Sequence, residues 1–121
     1  MAHIIHLQSF ADKRGSLTVI EKTVPFNIKR IFYIYGVDGS IRGGHRHKKT
    51  IQAAICIQGS CNINSTNGES ALTTFTLNRP DQCLIIDPAD WHTMDSFSAD
   101  AILMILASEY FDEDDYIYEA Y

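Results

Sequence analysis

Helical periodicity is almost absent from this sequence. No stretch keeps apolar residues at a 3.6-residue spacing beyond two turns, so short helices fit only near 9–13 and 112–120, and a helical bundle is excluded. Positive charge is also scarce: 10 Lys and Arg stand against 15 Asp and Glu, a net charge of −5, part of it in the run Asp112-Glu113-Asp114-Asp115. A nucleic-acid or anionic-membrane binder needs a positive field over its contact face, so neither partner is expected. No apolar run approaches the ~20 residues that span a bilayer, and no basic-then-apolar N-terminal segment resembles a signal peptide; a soluble cytoplasmic protein is expected. The three cysteines, Cys56, Cys61 and Cys83, are odd in number, lack CxxC spacing and lie in apolar or strand-like segments, which predicts buried free thiols in a reducing compartment. Repeats, linkers and low-complexity tracts are lacking as well.

What the chain does have is strand-forming sequence. Its 121 residues, 45% apolar, suit one domain over 1–121 with a single core. Runs rich in Ile, Val, Phe, Tyr and Thr predict strands near 3–8, 16–21, 29–35, 51–58, 60–64, 71–77, 83–87 and 101–108, with breaks at Pro25-Phe26-Asn27, Asp38-Gly39-Ser40, Asn67-Gly68, Asn78-Arg79-Pro80 and Asp87-Pro88. Asn67-Gly68 suits a tight hairpin. Residues 101–107 are continuously apolar, which places them in a central strand or a subunit interface. The expected architecture is all-β, antiparallel, eight-stranded and closed.

Chemistry concentrates between Gly39 and Gly59. His45 and His47, two apart on a strand, send both imidazoles to one face, and in a narrow barrel that face is the interior. Arg42, Arg46, Lys48 and Lys49 crowd the same stretch, enough local cation for an anionic small molecule. Gly39, His45, His47 and Gly59 resemble the first cupin motif, with Gln52 where that motif has a glutamate; Pro88-Ala-Asp-Trp91-His92 offers a second-motif histidine. A metal held by His45, His47, Gln52 and His92 is conceivable on ligand chemistry, but the amide at 52 and a short proline-to-histidine gap argue against it, and no metal is expected. His3 and His6 are assigned structural roles beside nearby carbonyls.

Longer blocks carry a narrower resemblance. Arg14-Gly15-Ser16-Leu17, Ile28-Lys29-Arg30-Ile31-Phe32-Tyr33-Ile34, Arg42-Gly43 leading to His45-x-His47-Lys48-Lys49, Gly59-Ser60-Cys61, Trp91-His92-x-Met94 and Leu106-Ala107-Ser108-x-Tyr110-Phe111-Asp112 are similar to the dTDP-4-keto-6-deoxyglucose 3,4-ketoisomerases. The resemblance implies a cupin double-stranded β-helix (jelly roll), a homodimer, no cofactor, and a dTDP-linked 4-keto-6-deoxy sugar as substrate, in deoxysugar biosynthesis for surface polysaccharide. It implies catalysis by His45 and His47, with Tyr33 in the sugar pocket. The Arg14-Gly15 pair looks like the branch that forms the 3-keto galacto product.

A carbonyl at carbon 4 acidifies the hydrogen on carbon 3, and a histidine near its ordinary pKa of ~6.5 can remove and return that proton. Tyr33 is then expected to donate to the enediolate oxygen, Arg14 and Arg42 to meet phosphate, and Trp91 and His92 to close the barrel mouth over the substrate. Glu21 is expected inward as a partner that orients an imidazole, Lys48 and Lys49 outward, and residues 112–115 as a solvated helix start. An epimerase using a His base and a Tyr acid, a non-catalytic nucleotide-sugar-binding cupin and a metal-dependent cupin are the competing readings.

Overall fold

The computed structural model describes residues 1–121. Strands β1 (His3–His6), β2 (Gln8–Asp12), β3 (Gly15–Val19), β4 (Arg30–Tyr35), β5 (Arg42–His47) and β6 (Gln52–Gln58) form the first half of the chain. They are followed by β7 (Cys61–Thr66), β8 (Thr73–Leu77), β9 (Gln82–Ile86), β10 (Trp91–Asp95), β11 (Ile102–Ala107), a single 3-10 turn at Glu113–Asp115 and β12 (Tyr116–Ile117). Two antiparallel five-stranded sheets result, ordered β1-β9-β6-β11-β4 and β12-β5-β10-β7-β8, with β2 and β3 as a separate hairpin. The closed eight-stranded ring expected from sequence is therefore corrected to a jelly roll of two sheets that are not hydrogen-bonded into one. No helix is long and apolar enough to cross a membrane.

The main core lies between the sheets. Alternate residues of β6, β7, β9 and β11, among them Cys56, Ile63, Leu84, Leu103 and Ile105, are fully buried there with Met94 and Leu77. Truncating Leu103 or Ile105 to Ala removes a side chain from a close-packed interior, at a cost of about 2–5 kcal/mol. A second cluster, including Ile55, Cys83, Ile85 and Leu106, covers the outer face of the first sheet beneath Ile20, Val24 and Phe26. With both faces covered, β11 is an interior strand, as its unbroken apolar sequence requires, paired to β4 on one side and β6 on the other. All three cysteines are buried free thiols, and desolvation holds Cys83 up at about 11.

Neither segment where a short helix would fit forms an α-helix. Residues 9–13 belong instead to the β2–β3 hairpin, where Phe10 pairs with Leu17 across the strands and the hydroxyls of Ser9 and Thr18 lie 2.7 Å apart. At the C-terminus the helix stops after one turn because Tyr116 is extended (φ −84°, ψ 137°) and continues as β12 against Arg46 and His47. The Asn67-Gly68 corner is a longer loop than a two-residue turn, since Ser65 already pairs with Thr73; the Asn67 carboxamide accepts from the amides of Glu69 and Ser70 to close it.

Candidate active site

Strand β5 carries the histidine pair across the inner side of the second sheet. A register shift between His92 and Thr93 sets His45 directly opposite His92 on β10. This shift needs Gly43: its φ is +82°, and a Cβ there would stand 3.0 Å from the His92 carbonyl oxygen. Three imidazoles consequently converge. His45 lies 5.1 Å from His47 and 5.0 Å from His92, edge to face in both cases, and His47 and His92 are 6.4 Å apart.

A cavity of about 170 Å³ opens in front of His45. Its walls are Arg30, Phe32 and Ile34 of β4, Arg42 and Gly43 of β5, Gln52, Met94 and Tyr116. His47 and His92 are almost or wholly buried behind this wall. Both use Nδ1 internally, His47 toward the Asp115 carboxylate (2.9 Å) and His92 toward the Asp90 carbonyl (3.0 Å). Their Nε2 atoms, like Gln52 Oε1, are buried with no hydrogen-bond partner. No three His, Cys, Asp or Glu side chains are disposed to hold a metal ion together.

Electrostatics keep the rings neutral. Desolvation, with repulsion from the other two imidazoles, lowers His45 to about 4, and burial lowers His92 to about 4. Desolvation also lowers His47, with Arg30 adding to it, while Asp115 opposes the drop. At neutral pH these are neutral imidazoles, able to accept a proton through one nitrogen. The ordinary histidine pKa assumed from the sequence does not describe them.

Several expected site residues lie elsewhere. Tyr33 is 63% exposed on the outer face of β4, stacked on Tyr35, because the inward positions of that strand are Arg30, Phe32 and Ile34. Trp91 alternates with the inward His92 on β10 and does not line the cavity. His92 sits behind His45 instead of at the mouth. Arg14 stands on the β2–β3 turn, paired with Asp12 (2.6 Å) and away from the cavity. Glu21 is exposed and orients no imidazole. His3 behaves as assigned, with Nδ1 2.9 Å from the Met1 carbonyl, and Lys48 and Lys49 are exposed.

Other site residues emerge only in three dimensions. Tyr116 touches His47 and His45 edge-on at 4.6 and 4.8 Å. Arg30, its guanidinium 4.5 Å above the Phe32 ring, joins Arg42 on the cavity wall. Asp115, the last of a seemingly solvated acidic run, is 3% exposed. The one available signal for Arg30 is its parity with Phe32 and Ile34 along β4; Asp115 and Tyr116 carry no local signal, since their partners are some 70 residues away on β5.

The family model FdtA: WxcM-like, C-terminal, matches residues 1–121. A TDP-4-oxo-6-deoxy-alpha-D-glucose-3,4-oxoisomerase of Aneurinibacillus thermoaerophilus is 44% identical over 117 residues, 94% of this chain and 84% of its own length. A mutant of the 3,4-ketoisomerase QdtA from Thermoanaerobacterium thermosaccharolyticum, solved with TDP-4-keto-6-deoxyglucose, superposes with a TM-score of 0.93 at 40% identity, covering 98% of this chain and 87% of that one. A dTDP-4-dehydrorhamnose 3,5-epimerase of Bacillus anthracis (TM-score 0.83, 18% identity, 95% and 76% covered) shares the fold alone. With its match running from the first residue to the last, the chain belongs to the FdtA family, alongside the sugar 3,4-ketoisomerases.

Proposed function

We propose that the protein is a sugar-nucleotide 3,4-ketoisomerase acting on dTDP-4-keto-6-deoxyglucose in deoxysugar biosynthesis. The observation that carries this reading is the group of three converging imidazoles, with His45 lining a cavity whose wall also holds two arginines. The histidine pair removes the carbon 3 hydrogen as a proton, and the bonding electrons form an enediolate with its charge on oxygen 4. Protonation of carbon 4 and of oxygen 4, with loss of the proton on oxygen 3, leaves the ketone at carbon 3; two protons depart and two return. Arg30 and Arg42 hold the pyrophosphate or the developing oxyanion, and Tyr116, in place of the outward-facing Tyr33, supplies the phenol.

The chain acts as a homodimer in the cytoplasm. The β2–β3 hairpin pairs only with itself and exposes Phe10 and Leu17, while the outer face of β4 exposes Ile31, Tyr33 and Tyr35. Such a surface suits a second copy of the chain, and a dimer also gives Arg14, at the hairpin turn, a route to a cavity other than its own. The Arg14-Gly15 pair supports the galacto configuration at carbon 4 of the product.

Incubation with dTDP-4-keto-6-deoxyglucose in deuterated water tests the reading. The expected result is a 3-keto product with deuterium at carbon 4; neither isomer nor exchange would defeat it. A product still ketonic at carbon 4 but inverted at a neighbouring carbon would mark an epimerase instead.

A further inference from the structure

Asp115 is the one carboxylate of its acidic run that burial removes from water. Desolvation should keep it protonated, yet its pKa is lowered. Three donors explain this. The Thr50 hydroxyl and His47 Nδ1 (2.9 Å) both meet Oδ2, and the Lys49 amide donates to Oδ1 at 2.8 Å. The Asp115 main-chain oxygen also accepts from the Lys48 amide (2.9 Å), so the carboxylate is fixed against the end of β5 by backbone as well as side chain.

A carboxylate in this state can only accept, and His47 Nδ1 must therefore carry the hydrogen. Its Nε2, on the far edge of the ring, keeps a lone pair and has no partner. The groups that face His47 are His45 of β5, His92 of β10, Arg30 of β4, and Tyr116 and Asp115 of the C-terminal segment. Of these, Asp115 alone is hydrogen-bonded to the ring.

We propose that Asp115 is a positioning residue for the isomerisation: it locks His47 in the Nδ1–H tautomer and ring orientation, so that Nε2 stays a proton acceptor. The role rests on the ketoisomerase reading, because only a proton-transfer reaction depends on which nitrogen bears the hydrogen. A free imidazole samples both tautomers, and the Nε2–H form would offer a donor where the reaction needs a base. Thr50 and the Lys49 amide hold the carboxylate in turn.

Asp115→Asn in the full-length protein is the test. Asparagine cannot satisfy the three donors, since one of its two terminal groups is itself a donor. In the wild type, 15N-histidine NMR is expected to show His47 protonated on Nδ1 and bare on Nε2; the variant should lose that pattern. Its kcat should fall ~10- to 100-fold with KM within about threefold, and the acid limb of its pH profile should move to lower pH, because the charge that favours protonated His47 is gone. Wild-type kcat, pH profile and tautomer in a folded Asp115→Asn protein would overturn the proposal. If that variant does not fold, Thr50→Val, which removes one of the donors holding the carboxylate, should shift the same three readouts less far in the same direction, and its failure to shift any would overturn the proposal. Absence of isomerase activity in the wild type would instead defeat the function, leaving the NMR tautomer to decide whether Asp115 fixes His47.

Discussion

Tyr116 stands over both members of the histidine pair, its ring centroid 4.6 Å from His47 and 4.8 Å from His45, inclined at 62° to each. It reaches this place because β12 pairs Tyr116 with His47 and Ile117 with Arg46. The phenol proposed as donor to the oxyanion is thus at the cavity wall, while Tyr33 faces outward. Tyr116→Phe should lower kcat by roughly 10²-fold, the typical loss on removing one oxyanion donor. Tyr33→Phe should leave it within twofold. Steady-state rates of the two variants side by side check the assignment, and the reverse ranking would return the role to Tyr33.

The pair itself is tested by His45→Asn and His47→Asn. Asparagine keeps polarity and approximate size, so circular dichroism should remain that of the wild type. Turnover should drop by ~10² to 10⁴ in each. Wild-type rates in both variants would remove the imidazoles from the chemistry.

The lowered pKa values dictate the pH profile. A base must be neutral to act, and a group lowered from 6.5 to about 4 stays neutral well below neutrality. Activity should accordingly be flat from pH 8 through 6.5 and fall only toward pH 4. A profile that loses half its activity near 6.5 would show that the rings are solvated and behave as ordinary histidines.

The same shifts set acid stability. His92, fully buried, resists protonation when folded and takes a proton readily when unfolded, so between pH 6.5 and 4 the unfolded state binds more protons. Stability is then complete above 6.5 and declines as pH falls, by about 3 kcal/mol at most for a ring lowered to about 4. His45 and the depressed Asp115 act in the same direction, and Asp90, whose burial raises it, opposes them. Urea midpoints measured at pH 7, 6, 5 and 4.5 should decline, and His92→Gln should flatten the decline.

Strand-scale features were legible in the sequence because period-2 alternation and apolar runs are local: β4, β6, β9 and β11 lie within a residue or so of where composition places them. The His45-x-His47 spacing likewise encodes a shared face. Long-range pairing is not written locally. Nothing near Asp115 announces that β5 will bury it, and Tyr33 and Phe32 differ in role only by which parity of β4 faces the core. The helix expected at 9–13 failed for the same reason, since Phe10 finds its partner, Leu17, only across the turn.

Gly43 and Gly44 offer a way to isolate the strand contact that aligns the imidazoles. Both have φ of +82°, so an alanine at either bears the same left-handed strain, about 1–2 kcal/mol. They differ in surroundings: a Cβ at 43 would meet the His92 carbonyl oxygen at 3.0 Å and the Thr93 Cα at 3.4 Å, whereas at 44 nothing lies within 4 Å. Neither backbone atom can yield as a side chain would, so Gly43→Ala must push β5 away from β10 at the point where His45 faces His92. The two variants should lose comparable stability from strain, with Gly43→Ala losing more, and kcat should fall roughly threefold or more further in Gly43→Ala, because even a few tenths of an ångström of strand displacement beside His92 moves the facing imidazoles off their reacting geometry. Denaturation midpoints and kcat measured on both decide it. Equal kcat in the two would mean that the close approach of β5 to β10 does not position the histidines for the reaction.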